Sequence, residues 1–89
     1  MRSIITVVGK DTVGILAGVS ALCAKHEVNI IEVSQSILQD MFCMIMLVDV
    51  SKCNIEFTAF ADEAEKLGKD RALSINVMHE DIFNSMHRI

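Results

Sequence analysis

Two apolar periodicities alternate along this chain, and their order narrows the fold more than any single residue does. Ser3-Ile4-Ile5-Thr6-Val7-Val8 is β-branched and stops at Gly9, as a strand ending in a loop does. From Val13 to His26 the apolar residues Ile15, Val19, Leu22 and Cys23 recur at helical spacing, with Asp11 or Thr12 placed to cap the first turn. From Asn29 to Leu38 the period returns to two: Ile31, Val33 and Ile37 alternate with Glu32, Ser34 and Ser36, the pattern of a half-buried strand. A weak turn signal at Gln39-Asp40 precedes Phe42 to Val50, which is almost wholly apolar. Residues 54–67 fit a second helix, with Asn54 as cap, Phe57, Phe60, Ala61, Ala64 and Leu67 on one stripe, and Gly68 as stop. Leu73, Ile75 and Val77 alternate with Ser74 and Asn76 as a fourth strand, and Asp81 to Ile89 fits a short helix with Ile82, Phe83, Met86 and Ile89 on its apolar side.

The order is βαββαβ, two interleaved βαβ halves, which predicts a ferredoxin-like α/β sandwich spanning residues 1–89 as one domain. Strands one and three are apolar on both faces and belong in the centre, so the predicted antiparallel sheet runs 4-1-3-2. Right-handed crossovers place both main helices on one face. The opposite face of the central strands also carries apolar side chains and needs a cover, either the C-terminal helix or a partner subunit. Composition points the same way. A domain of 89 residues hides only about 60 to 65% of its unfolded surface, yet 52% of this chain is hydrophobic and its mean hydropathy is +0.43. Self-association, most simply as a homodimer, is the expectation.

Several function classes fall away on composition. The chain carries 8 basic and 12 acidic residues, a formal charge of −4, and its cations are scattered, so nucleic-acid binding has little electrostatic support. An RNA-recognition motif needs aromatic residues on its central strands; strand one has none and strand three has only Phe42. No stretch is long and apolar enough for a membrane span, and Met1-Arg2 leads directly into a β-like run with no secretory signal. Cys23, Cys43 and Cys53 lack the spacing of a disulfide framework or zinc knuckle, which suits a reducing cytoplasm. Cys23 and His26, three apart on a helix, could begin a metal site, but Cys23 falls on the buried stripe and the core reading is preferred. Gly9 and Gly14 have the spacing that opens a P-loop, yet Ile15-Leu16 stand where its Lys and Ser or Thr belong. No nucleophile has a recognisable base, so no catalytic residue, cofactor or metal is expected.

The loop at 9–14 has the most chemical promise. It runs from a central strand into a helix N-terminus, where free N–H groups and the helix dipole favour an anion such as an α-carboxylate. Gly14 lets a ligand approach the backbone. Asp11 can accept from an α-ammonium, and Asn29 can donate and accept. Read from the residues alone, the favoured assignment is Asp11 as an N-cap and Asn29 as a turn residue before a strand.

Asp11-Thr12-Val13-Gly14-Ile15-Leu16-Ala17-Gly18-Val19, followed by His26-Glu27-Val28-Asn29-Ile30-Ile31-Glu32, resembles the D-x-x-G-[IVL]-[LV] and V-N-I segments of ACT domains, which share this βαββαβ order. The resemblance covers essentially the whole chain and is strongest to small stand-alone ACT proteins related to the glycine-cleavage transcriptional repressor. It implies a regulatory, non-catalytic module that binds a small molecule, often an amino acid, between subunits. The positions matching family ligand contacts are Asp11, the backbone of Thr12, Val13, Gly14 and Ile15, and Asn29. Gly9 and Val13 depart from the polar residue and the Pro that some amino-acid-binding members carry there.

Geometry bears on that implication. A helix of about 13 residues is roughly 20 Å long, so Asp11 and Asn29 at its two ends cannot hold one amino acid within a single chain. If second strands pair antiparallel across a two-fold axis, the loop of one chain meets Asn29 of the other and two equivalent sites form. The competing expectation is a ligand-independent module whose surfaces assemble subunits or dock a protein effector; face-to-face sheet pairing is the alternative dimer.

Overall fold

The computed structural model describes residues 1–10 and 14–86. Its elements are β1 (Arg2–Gly9), α1 (Ile15–Lys25), β2 (Asn29–Leu38), β3 (Met41–Asp49), α2 (Phe57–Asp70), β4 (Ser74–His79) and α3 (Glu80–Met86). The sheet is antiparallel throughout, in the order β2-β3-β1-β4, the predicted arrangement read from its other edge.

Register explains the core. Ile5 pairs with Met46 and Val7 with Met44, and all four side chains are buried against the helices. Ile15, Val19 and Cys23 descend from α1, and Phe60 and Ala64 from α2, to close that layer. Phe60 has no exposed surface and Val19 is 1% exposed, so each helix is held by an anchor from its apolar stripe.

Three local expectations are corrected. Strand β2 is not half-buried: Ile31, Val33, Ile37 and Leu38 are all exposed. A register shift between Ile30 and Glu32 sets Glu32, Ser34 and Ser36 opposite Leu47, Ile45 and Cys43 on the open face. Val33 and Ile37 therefore turn towards the helix side, but the helices cover the central strands and leave this edge bare. Helix α1 begins at Ile15, and the residues expected to cap it, Asp11 and Thr12, lie outside the described residues. Its N-cap is Gly14, in the left-handed region at φ 74 with no side-chain cap bond.

The third correction concerns α2, which starts at Phe57 after the N-cap Glu56 and runs through Gly68 to Asp70. Gly68 is a packing position, since a Cβ there would stand 2.8 Å from the carbonyl oxygen of Leu73. Asn54 is a clamp rather than a cap. Its backbone N–H donates to the His26 carbonyl at 3.1 Å, and its side-chain Nδ2 donates to the Lys25 carbonyl at 3.1 Å.

Helix α3 folds back onto the open face against β1 and β4, where Arg2 Nε lies 2.6 Å from Glu80 Oε2 and Ile4 is buried. It covers only half of that face. Its predicted apolar residues Ile82 and Met86 are exposed, as is Ile45 on the uncovered half; Ile89 lies outside the described residues.

Candidate functional site

The expected ligand residues divide between two ends of the sheet. Gly9 pairs with Phe42, and Phe42 with Ile37, so the loop after β1 stands at the Leu38 end of the edge strand. An ion pair between Lys10 and Asp40 at 3.8 Å ties that loop's start to the β2–β3 turn. Asn29 pairs with Asp49, and Asp49 with Arg2, at the opposite end. Arg2 and Gly9 are seven residue steps apart, which at about 3.3 Å each is roughly 23 Å.

At the loop end, Asp11, Thr12 and Val13 lie outside the described residues. Gly14 turns the chain into α1, and its carbonyl accepts from the Gly18 N–H at 2.9 Å and from Arg71 Nη1 at 3.2 Å. Ile15 is 2% exposed and belongs to the core, so only its backbone is available to a ligand. Arg71 was not among the residues that spacing singled out. The guanidinium packs over Gly18, where a Cβ would meet its Cζ at 3.4 Å. It gets there because β4 pairs with β1, which brings the α2–β4 turn beside the β1–α1 loop. The predicted strand order contains that adjacency, and tracing it is the signal that would have found Arg71. Arg71 thus brings a cation to the first turn of α1, with Lys10 at the start of the same loop, an arrangement suited to a carboxylate.

At the other end Asn29 is exposed beside a polar concavity of about 360 Å³, lined also by Glu27, Asp49, Ser51 and Lys52. Glu27 sits at φ 58, a left-handed turn between α1 and β2. Asp49 accepts from Ser51 Oγ at 2.6 Å and from its N–H at 2.9 Å. These bonds hold its carboxyl below the ordinary range, so it stays anionic. This end can receive an ammonium or a hydroxyl, whereas the loop end suits an anion.

Neither Cys23 nor His26 is placed as a metal ligand. Cys23 is buried, and burial, with Cys53 nearby, pushes its thiol up to about 11. His26 is turned towards Asn54 and Glu63. Among the described residues no three His, Cys, Asp or Glu side chains gather as a metal site requires, and no helix is long and apolar enough to cross a membrane.

This fold, with a left-handed glycine heading the first helix beside a central strand, defines an ACT-type module. The ACT domain family matches residues 2–78, and the chain belongs to it. A UPF0237 protein of Methanocaldococcus jannaschii is 43% identical over 88 residues, which is 99% of this chain and 98% of that one. Among solved structures, an ACT domain protein from Streptococcus pneumoniae is 41% identical with a TM-score of 0.81, covering 93% of each chain. A protein assigned as a glycine cleavage system transcriptional repressor is 24% identical with a TM-score of 0.67, covering 85% of this chain and 43% of its own. At that identity the likeness is one of fold.

Proposed function

We propose that this chain is a non-catalytic, cytoplasmic regulatory module that forms a homodimer and binds an amino acid at two equivalent sites between its subunits. One observation carries the reading. The cation-flanked loop and Asn29 stand at opposite ends of a sheet whose edge strand β2 is bare and apolar. Unprotected edges of this kind invite pairing. Antiparallel pairing of two β2 strands about a two-fold axis brings the loop end of one subunit to the Asn29 end of the other, twice. The α-carboxylate would meet the N–H groups of residues 12–15 with Lys10 and Arg71 near, and the ammonium Asp11 and the partner's Asn29. A ligand held by both chains stabilises the dimer by mass action, which converts metabolite concentration into assembly.

A second reading has its own observation. Ile45, Ile82 and Met86 are exposed together with the bare edge, which suits a module that docks an effector protein without any ligand. A thermal-shift and calorimetric screen of amino acids separates the two. The first reading expects a response from the wild type that Asp11→Ala and Asn29→Ala each abolish. Absence of any response favours the second.

A further inference from the structure

The face of the sheet turned away from α1 and α2 carries a separate concavity of about 300 Å³, at the step between α3 and the uncovered strands. Its floor is apolar. Ile4 pairs with Leu47, and Leu47 with Glu32, so these three side chains form one row across β1, β3 and β2, with Ile45 in the next row. Strands lie about 4.8 Å apart, so Glu32 stands roughly 10 Å across the floor from Ile4.

The two rims differ in charge. On the α3 side, Arg2 is fixed by its Nε, 2.6 Å from Glu80 Oε2. A guanidinium has five N–H donors, so the terminal nitrogens keep theirs for a second acceptor, and Asn84 adds an amide to the same rim. On the β2 side, Glu32 is exposed and has no ion-pair partner among the described residues. The concavity thus presents the Arg2–Glu80 ion pair and Asn84 at one rim, a carboxylate with no such partner at the other, and aliphatic side chains between them. Its volume is at the small end of ligand pockets.

We infer that this pocket binds a small aliphatic zwitterion whose two charges are held apart, as in an ω-amino acid. Its carboxylate is received by the terminal nitrogens of Arg2, its ammonium by Glu32, and its methylene chain rests on Ile4, Leu47 and Ile45. An α-amino acid, with both charged groups on one carbon, cannot reach both rims. The site shares no residue with the one proposed above, although Glu32 stands on the β2 edge at which that reading pairs the subunits.

Methyl and amide NMR of the intact chain, titrated with 5-aminopentanoate, pentanoate, pentylamine and leucine, tests this. The expected result is saturable shifts at Ile4, Ile45 and Leu47 with 5-aminopentanoate. Affinity should fall about tenfold or more for either singly charged analogue and for Glu32→Gln or Arg2→Lys, as loss of a charge-assisted hydrogen bond requires. Unchanged amide spectra away from the pocket establish that the variants are folded. The inference is overturned if no probe shifts these residues, if Glu32→Gln binds as the wild type does, if 5-aminopentanoate shifts Gly14 and Asn29 instead, or if intermolecular contacts reveal a second copy seated on this face.

Discussion

His26 Nε2 stands 2.9 Å from Oε2 of Glu63, so the last turn of α1 is joined to the middle of α2 through an imidazole that is almost fully buried. The ring's other nitrogen, Nδ1, lies 2.9 Å from Asn54 Oδ1. The orientation of that amide is set by its Nδ2, which donates to the Lys25 carbonyl. Nδ1 is thus hydrogen-bonded to the Asn54 amide, and Nε2 lies beside the Glu63 carboxylate. Phe60 presents its ring edge-on to the imidazole with centroids 6.1 Å apart.

This pair makes stability depend on pH with a definite sign. Hydrogen bonding to His26, followed by its charge and that of Lys25, holds the Glu63 carboxyl below its ordinary value of 4.5. A depressed carboxyl stabilises the fold above its unfolded value and ceases to do so as pH falls through the folded one. Urea midpoints measured from pH 6 down to about pH 3 should fall more steeply for the wild type than for Glu63→Gln. Asp49 is depressed as well and acts in both proteins, so the difference between the two curves is the readout. Parallel curves would remove the His26–Glu63 link.

Gly68→Ala tests close packing against helix propensity. Alanine is favoured over glycine in a helix by about 1 kcal/mol, but here the added Cβ meets backbone at 2.8 Å and Ile75 at 2.9 Å. Overpacking costs about 1 to 3 kcal/mol. Net destabilisation in chemical unfolding is expected; a stabilised variant would mean that the α2–β4 contact is loose.

Arg71→Gln removes the tie to the Gly14 carbonyl. The guanidinium is exposed, so the loss of stability should stay within about 1 kcal/mol. The amide signals of Gly14 and Gly18 should nevertheless shift, and any thermal-shift response to an amino acid should shrink. An unchanged response would take Arg71 out of the site.

Cys23 should resist thiol reagents in the folded protein, since burial and its raised value of about 11 leave little thiolate at neutral pH. Cys43 and Cys53 are partly accessible. Mass spectrometry after brief alkylation should find the label on these two first, and Cys23 should react only on unfolding. Early labelling of Cys23 would mean that α1 opens easily.

Sequence periodicity carried most of this fold. The β-branched run of β1, the two apolar faces of β3 and the stripe through Phe60 and Ala64 each encode burial directly, and central and edge strands follow from them. What periodicity could not convey is whether an apolar position finds a cover. Val33 and Ile37 alternate correctly along β2, yet they lie beyond the reach of the helices, and the register shift after Ile30 is invisible in the pattern. Asn54 and Gly68 misled for a related reason: their residue types suit helix ends, but long-range partners, the α1 C-terminus and Leu73, determine what they do. Of the candidate site, Gly14 and Asn29 stand where the element order placed them. Arg71 was missed because it reaches the loop through strand adjacency and has no local motif.

Sedimentation equilibrium of the wild type and Ile37→Lys, with and without candidate amino acids, tests the central claim most directly. A charge on an exposed edge residue should cost the fold no more than about 0.5 kcal/mol while blocking edge pairing. The account predicts a wild-type dimer tightened by the binding amino acid and an Ile37→Lys variant that stays folded as single chains. Single chains for the wild type at every concentration, with amino acids in excess, would contradict it.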